Sequence, residues 1–117
     1  MRLIDAPVGL FIFNGKLCLK TEYYTNGRVD AYIVSSGEMF WGGAKTTDEL
    51  NSLEVMPVMT PEQFRDRMKD FYHEWLEVKY DNEMGHVFMD ALMIGVLRQL
   101  GYGEGVDICD NAKKWYG

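Results

Sequence analysis

Residues 8–22 read VGLFIFNGKLCLKTE and decide the fold of the N-terminal half. The central Asn14-Gly15 dipeptide favours a type I′ turn, because both middle residues of that turn need a positive φ. The segments on either side are rich in strand-forming residues, and Leu17 and Leu19 alternate with more polar neighbours. The stretch therefore predicts an antiparallel hairpin.

The same signal recurs further along the chain. Thr25-Asn26-Gly27-Arg28 predicts a second tight turn before a strand over residues 29–34. A turn at residues 36–38 then leads to a predicted strand at residues 39–41. The polar, turn-like residues 44–52 lead to a last predicted strand at residues 53–58. A proline near the end of the last segment restricts it to the edge of a sheet. Connections this short join antiparallel neighbours, so the sequence predicts a β-meander of four to five strands.

From residue 60 the pattern changes to helical periodicity. Thr60-Pro61-Glu62-Gln63 is a helix start, because threonine caps, proline suits the first helical position and glutamine completes a capping box. An apolar stripe follows at steps of three and four residues, formed by Phe64, Met68, Phe71, Trp75 and Val78. The stripe predicts a first helix with one face turned towards a core.

Two further helices are predicted downstream. Residues 83–100 are apolar on most sides, which is typical of a central helix, and residues 106–116 predict a short third helix. The expected architecture is α+β, an N-terminal antiparallel β-meander packed against two to three C-terminal helices. The length predicts a single domain, residues 1–117, with a β-rich half (1–59) and a helical half (60–117).

Composition limits the function. The 117 residues include twelve basic and eighteen acidic side chains, and the resulting net charge of −6 opposes direct binding of nucleic acid phosphates. No run reaches the roughly 20 apolar residues that cross a bilayer, and the N-terminus lacks the pattern of a signal peptide. We therefore expect a cytoplasmic protein with no membrane contact. Two cysteines cannot form a disulfide framework or a four-cysteine zinc site.

Residue types that carry chemistry are present but dispersed. Residues 101–105 (GYGEG) follow a predicted helix, so they indicate a cap at Gly101 and a turn, not a phosphate-binding loop. His73 and His86 stand on different helices, and a metal site needs three or four converging ligands, so we expect no metal and no other cofactor. Cys18 and Cys109 have no adjacent histidine and are interpreted as reduced core residues.

The unusual feature is the outer face of the first predicted helix. Measured from Phe64 at about 100° per residue, the apolar stripe covers roughly −40° to +40°, and six carboxylates lie between roughly 160° and 280°. Like charges one turn apart repel by roughly 0.2–0.5 kcal/mol per pair, so the row does not stabilise its own helix. One interpretation is a solvated face balanced by Arg65, Arg67 and Lys69. The other is a row of carboxylates presented to a basic groove on a partner, formed by Glu62, Asp66, Asp70, Glu74, Glu77 and Asp81.

Aromatic side chains are concentrated near the end of the meander. Trp41 stands beside Gly42-Gly43, and Tyr23 and Tyr24 precede the second tight turn. If these rings are packed they belong to the core, and if they are exposed they are the residue types that dominate protein interfaces. Trp41 is therefore included among the candidate partner-binding residues.

Several segments carry a resemblance to known proteins. On LKTEY (19–23), DAYIVSSGE (30–38), FWGG (40–43), LRQLGYGEGV (97–106) and KWY (114–116), the chain resembles uncharacterised small proteins encoded by bacteriophages and prophages of gut bacteria. No catalytic motif belongs to this resemblance, so it implies no role for any residue. It implies a context, since small acidic phage proteins often act on host machinery, with anti-CRISPR inhibitors as one class.

Three functions follow as hypotheses. The leading one is a non-enzymatic phage-type protein of the host cytoplasm, which uses its acidic helix face to block a host protein with a basic nucleic-acid-binding groove. The second is a small enzyme or ligand-binding domain, whose pocket between sheet and helices is lined by Glu22, Asp30 and Glu38, together with one of the histidines. The third is an assembly protein that forms a homodimer through the aromatic patch near Trp41.

Overall fold

The computed structural model describes the backbone of residues 1–78 and 82–116, and the side chains of residues 1–77 and 85–112. Strands come first and long helices second, which confirms the α+β class with N-terminal antiparallel strands and C-terminal helices. The elements are a 3₁₀ turn at Leu3–Asp5, β1 Gly9–Phe13, β2 Lys16–Thr25, β3 Arg28–Ile33, α1 Thr47–Asn51, β4 Met56–Pro57, α2 Pro61–Val78, α3 Asn82–Gln99 and α4 Gly103–Tyr116.

The chain divides into two compact units, Met1–Val58 and Met59–Gly117. The boundary falls within one residue of the change from strand to helical pattern that the sequence shows between residues 59 and 60. The assignment of both halves to one domain stays a prediction. Among the described residues, every helix is too short or too polar to cross a bilayer.

The N-terminal unit contains an antiparallel sheet with the strand order β3-β2-β1-β4. Asn14 and Gly15 have φ of 47° and 76°, and Asn26 and Gly27 have 51° and 81°, so both dipeptides adopt the positive φ that type I′ turns require. The two predicted hairpins are confirmed. β4 pairs only with β1, which confirms the predicted edge position of the segment that contains Pro57.

The inner face of the sheet is covered by segments of the same unit. β2 turns Cys18 and Lys20 inward, while Leu19 is exposed on the other face. The ring of Phe40 packs edge-on against Phe11 and Phe13, with 5.2 Å between ring centroids in both pairs. The buried core cluster consists of Leu3, Ala6, Phe11, Cys18, Val29, Ala31, Phe40, Leu50 and Val55.

Two local predictions are wrong in this unit. Residues 39–41 do not form a strand, because only Met39 makes an isolated bridge, to Tyr32, before the positive φ of Gly42 turns the chain away. The polar stretch 44–52 is not only turns, because it contains α1. This helix forms because the Thr46 hydroxyl caps it, accepting a hydrogen bond of 3.1 Å from the backbone of Glu49.

The helical unit places α3 in contact with both α2 and α4, which confirms the predicted central helix. Phe71 of α2 stacks on Phe88 of α3 with 5.8 Å between ring centroids. α3 ends at Gln99, and Gly101 beyond it has a φ of +96°, which provides the predicted left-handed cap. Around it, Tyr102 N donates to Leu97 O at 2.9 Å and Gly101 N donates to Arg98 O at 3.1 Å, the two hydrogen bonds of a Schellman motif.

Candidate functional site

The candidate site is the outer face of α2, and it depends on where that helix begins. Thr60 N donates to Gln63 Oε1 at 2.9 Å, and Gln63 N donates to Thr60 Oγ1 at 3.1 Å. This reciprocal pair is the predicted capping box, and it fixes the first turn. Glu62 lies in that turn, where the helix dipole favours a negative charge.

Packing against α3 sets the direction of the acidic residues. Phe71 stacks on Phe88, and a Cβ atom added at Gly85 of α3 would lie 3.1 Å from the Trp75 ring, so the apolar stripe of α2 faces α3. The opposite face of the helix is therefore left to solvent. Five predicted site residues are exposed on it, Glu62, Asp66, Asp70, Glu74 and Glu77, whereas Asp81 lies outside the described residues.

Few of these carboxylates are neutralised within the chain. Arg65 Nε lies 3.1 Å from Asp66 Oδ1, and the two side chains are 59% and 63% exposed. Across the described part of the chain this is the one ion pair on α2. An exposed pair of this kind contributes about 0–1 kcal/mol. The carboxylates of Glu62, Asp70, Glu74 and Glu77 have no ion-pair partner in the described part of the chain, so they are open to an external cation.

The dimensions of the face suit an extended contact. Glu62 and Glu77 are fifteen residues apart, which is about 22 Å along a helix axis. Carboxylates one turn apart accept hydrogen bonds from separate lysine or arginine side chains. His73, which is also exposed, lies on the same face at about 180° from Phe64. Sequence reasoning paired it with Glu77 but missed its place on this face between Asp70 and Glu74, although the same periodicity shows it.

Trp41, the remaining predicted site residue, belongs to the N-terminal unit. Its ring lies 4.6 Å from the guanidinium carbon of Arg28, and 41% of the residue is exposed. Arg28 Nη2 also lies 3.4 Å from Asp30 Oδ1, and both of these side chains are largely buried. Trp41 therefore covers an internal ion pair while keeping one side towards solvent. Sequence reasoning missed Arg28, although Arg28 and Asp30 are two apart on one strand and so share a face.

The carboxylates proposed for an enzyme pocket have different environments. Asp30 Oδ2 accepts a hydrogen bond of 2.8 Å from Thr25 Oγ1 while Oδ1 faces Arg28, so both oxygens have structural partners. Glu22 and Glu38 are exposed. Within the described residues, no three histidine, cysteine, aspartate or glutamate side chains are grouped so that they could hold a metal ion. The enzyme hypothesis has no assembled site here and stays a prediction.

The two cysteines differ. Cys18 is fully buried, and its burial raises the pKa of the thiol while the charge of Lys16 partly opposes the shift. The thiol is held in its protonated, unreactive form, as expected for a core residue. Cys109 is exposed, so its prediction as a core residue is wrong. It lies on α4, where Val106 is the buried residue among positions 103–112, whose side chains the structure describes.

Comparison with known proteins yields no relative. Neither a protein-family model, nor a curated protein, nor a solved structure matches this chain. The resemblance of its segments to phage proteins, and the context that it implies, therefore stay predictions. Function has to be inferred from the residues of the chain itself.

Proposed function

We propose that this protein is a non-enzymatic binding protein of bacteriophage type that acts in the host cytoplasm. Its acidic face, defined as Glu62, Asp66, Asp70, Glu74 and Glu77, docks on a basic nucleic-acid-binding groove of a host protein, for example a CRISPR effector. The bound protein competes with nucleic acid for that groove. The observation that carries the proposal is the exposed row of carboxylates, of which only Asp66 has an ion-pair partner among the described residues.

Charge complementarity is the physical basis of this recognition. A groove that binds nucleic acid is lined with lysine and arginine. Carboxylates about 6 Å apart along a helix present negative charge to those cations, as a phosphate backbone does. The attraction speeds association and makes it sensitive to salt, because exposed charges are screened beyond about 10 Å at 0.1 M ionic strength.

Reversing the charge of the acidic face should abolish partner binding. We expect the combined Asp66→Lys, Asp70→Lys and Glu74→Lys variant to lose its partners in affinity capture from a bacterial lysate, with mass spectrometry as the readout. The variant should stay folded, since all three positions are exposed, the repulsion among the lysines replaces a similar repulsion among the carboxylates, and positions 66 and 74 lie one turn from Glu62 and Glu77. Circular dichroism checks the fold, and raising NaCl should weaken capture by the unmodified protein.

A matched control separates this face from net charge. The Glu22→Lys, Glu38→Lys and Asp48→Lys variant changes the net charge by the same amount at exposed positions of the N-terminal unit. It should keep its partners. The captured proteins should also lose DNA or RNA binding when the unmodified protein is added. The proposal is wrong if the acidic-face variant keeps the same partners, or if the control loses them equally.

A further inference from the structure

A second surface of α2 has the opposite character to the acidic face. Between α2 and α3 lies a groove of about 590 Å³, lined by Phe64, Met68, Tyr72 and Met89 together with Arg65 and Lys69. The two basic residues lie at about 100° and 140° from Phe64, on the outer side of the groove and away from α3. The groove therefore has an apolar floor and a cationic rim.

The floor of the groove is suited to a helix. Its methionines and aromatic rings are adaptable apolar groups of the kind that line helix-binding grooves. Arg65 is held only by its exposed pair with Asp66, which is weak, and Lys69 has no ion pair among the described residues. Both cations are free to meet carboxylates on an incoming segment, so the complementary ligand is an amphipathic helix with an apolar anchor and acidic flanks.

α4 of the same chain presents this pattern on its outer side. Ile108 is 72% exposed, more than any other large hydrophobic side chain in the described residues. Glu104 lies one helical turn before it and is exposed on the same side. The inner side of α4 holds the buried Val106, and Arg98 of α3 binds Asp107 at 2.7 Å. The Ile108 side therefore faces away from α3 of its own chain.

We propose that the groove between α2 and α3 receives α4 of a second copy of this chain. Ile108 of one copy enters the apolar floor of the other, and Glu104 meets Arg65 and Lys69 at the rim. When each copy fills the groove of its partner, the contact is isologous and closes as a two-fold dimer. This contact brings opposite charges together although the chain as a whole carries −6, a net charge that otherwise opposes self-association.

The scarcity of buried residues in the helical unit supports a second copy as the occupant. Among residues 59–77 and 85–112 of this unit, only Gly85, Leu92 and Val106 are buried, compared with twelve residues of the N-terminal unit. Helices that bury so little apolar surface within one chain gain stability when a second copy covers the remaining apolar surface. No residue of the acidic face lines the groove, and the single link between the two surfaces that the described residues show is the exposed pair of Arg65 with Asp66, so the proposal does not rest on the proposed function.

Light scattering of the purified full chain at concentrations from micromolar upwards tests the dimer. We expect twice the 13.5 kDa chain mass, and we expect Ile108→Asn to weaken dimerisation by about tenfold or more. Val8→Asn is the matched control, because it changes an exposed apolar residue of the N-terminal unit and should leave the mass unchanged. A monomer at all concentrations, or a dimer indifferent to Ile108→Asn, overturns the proposal.

A charge exchange tests the pairing itself. Lys69→Glu and Glu104→Lys should each weaken the dimer, because each places like charges opposite one another. Combined in one chain, they should give a tighter dimer than either single variant, since the pair is then re-formed with its signs reversed, while Arg65 opposite position 104 keeps the recovery partial. Both changes are at exposed positions, so the fold should be preserved, which circular dichroism checks. A double variant that is as weak as the single ones overturns the proposed geometry.

Discussion

Lys20→Met should lower the free energy of unfolding of the N-terminal unit by about 2–4 kcal/mol. Lys20 is 2% exposed, and its ammonium donates three hydrogen bonds to backbone carbonyls, to Leu3 O at 2.8 Å, Ile4 O at 3.0 Å and Ala6 O at 2.6 Å. The three N–H donors are thus all used. Methionine has a similar length but no donor, so all three carbonyls lose a hydrogen bond, and of the three only Leu3 O keeps another within the described residues, from Ala6 N at 3.2 Å.

The effect should be specific to this position on β2. Lys16 lies on the same strand and is exposed, so Lys16→Met removes the same charge and should change stability by no more than about 0.5 kcal/mol. Urea unfolding, followed by hydrogen exchange of the β1 and β2 amides, reports on this unit alone. Equal losses in the two variants would show that the three carbonyl contacts of Lys20 do not stabilise the fold.

The stability added by Lys20 should also depend on pH. Burial lowers the pKa of Lys20 below its ordinary value of 10.5, and the charge of Asp5 partly opposes the shift. The unfolded chain therefore binds this proton more strongly than the folded chain, and protonation favours unfolding. As the pH rises through the folded pKa towards 10.5, the unmodified protein should gain stability relative to Lys20→Met. A difference that stays flat or falls with pH would contradict this assignment.

Local signals explain why much of the fold was predictable from the sequence. The Asn-Gly turns at residues 14–15 and 26–27, the capping box at Thr60 and the cap at Gly101 each depend on residues that are close in the chain. The same is true of the acidic face, because helical periodicity alone places its carboxylates opposite the apolar stripe. Predictions of this kind need no knowledge of the tertiary structure.

The features that were missed depend on contacts between distant residues. The carbonyls that bind Lys20 lie 14 to 17 residues away in sequence, and nothing near Lys20 distinguishes it from an exposed strand lysine. Asn51 is another case, because its buried amide binds Val29 N at 3.1 Å and Gly27 O at 2.9 Å, across more than twenty residues. These contacts anchor the 3₁₀ turn and α1 to the sheet, and only the tertiary structure reveals them.

Gly42→Ala should lower the free energy of unfolding of the N-terminal unit by about 2–4 kcal/mol. Gly42 has φ of +56°, and a Cβ atom built there would lie 2.6 Å from Leu53 Cδ1 and 2.7 Å from Phe40 Cζ. Phe40 is not free to move aside, because its ring is held edge-on by Phe11 and Phe13 in the core. The added methyl group therefore combines backbone strain with overpacking.

Gly43→Ala separates these two contributions. Gly43 has φ of +80°, but a Cβ atom there would have no heavy atom within 4 Å, so alanine adds backbone strain alone, about 1–2 kcal/mol. Urea unfolding of both variants should show Gly42→Ala to be the less stable by a further 1–3 kcal/mol or so, the typical cost of forcing a methyl group into a packed core. If the two variants lose the same stability, the turn at Gly42 has room for a side chain, and the close packing of Phe40 and Leu53 does not fix this position as glycine.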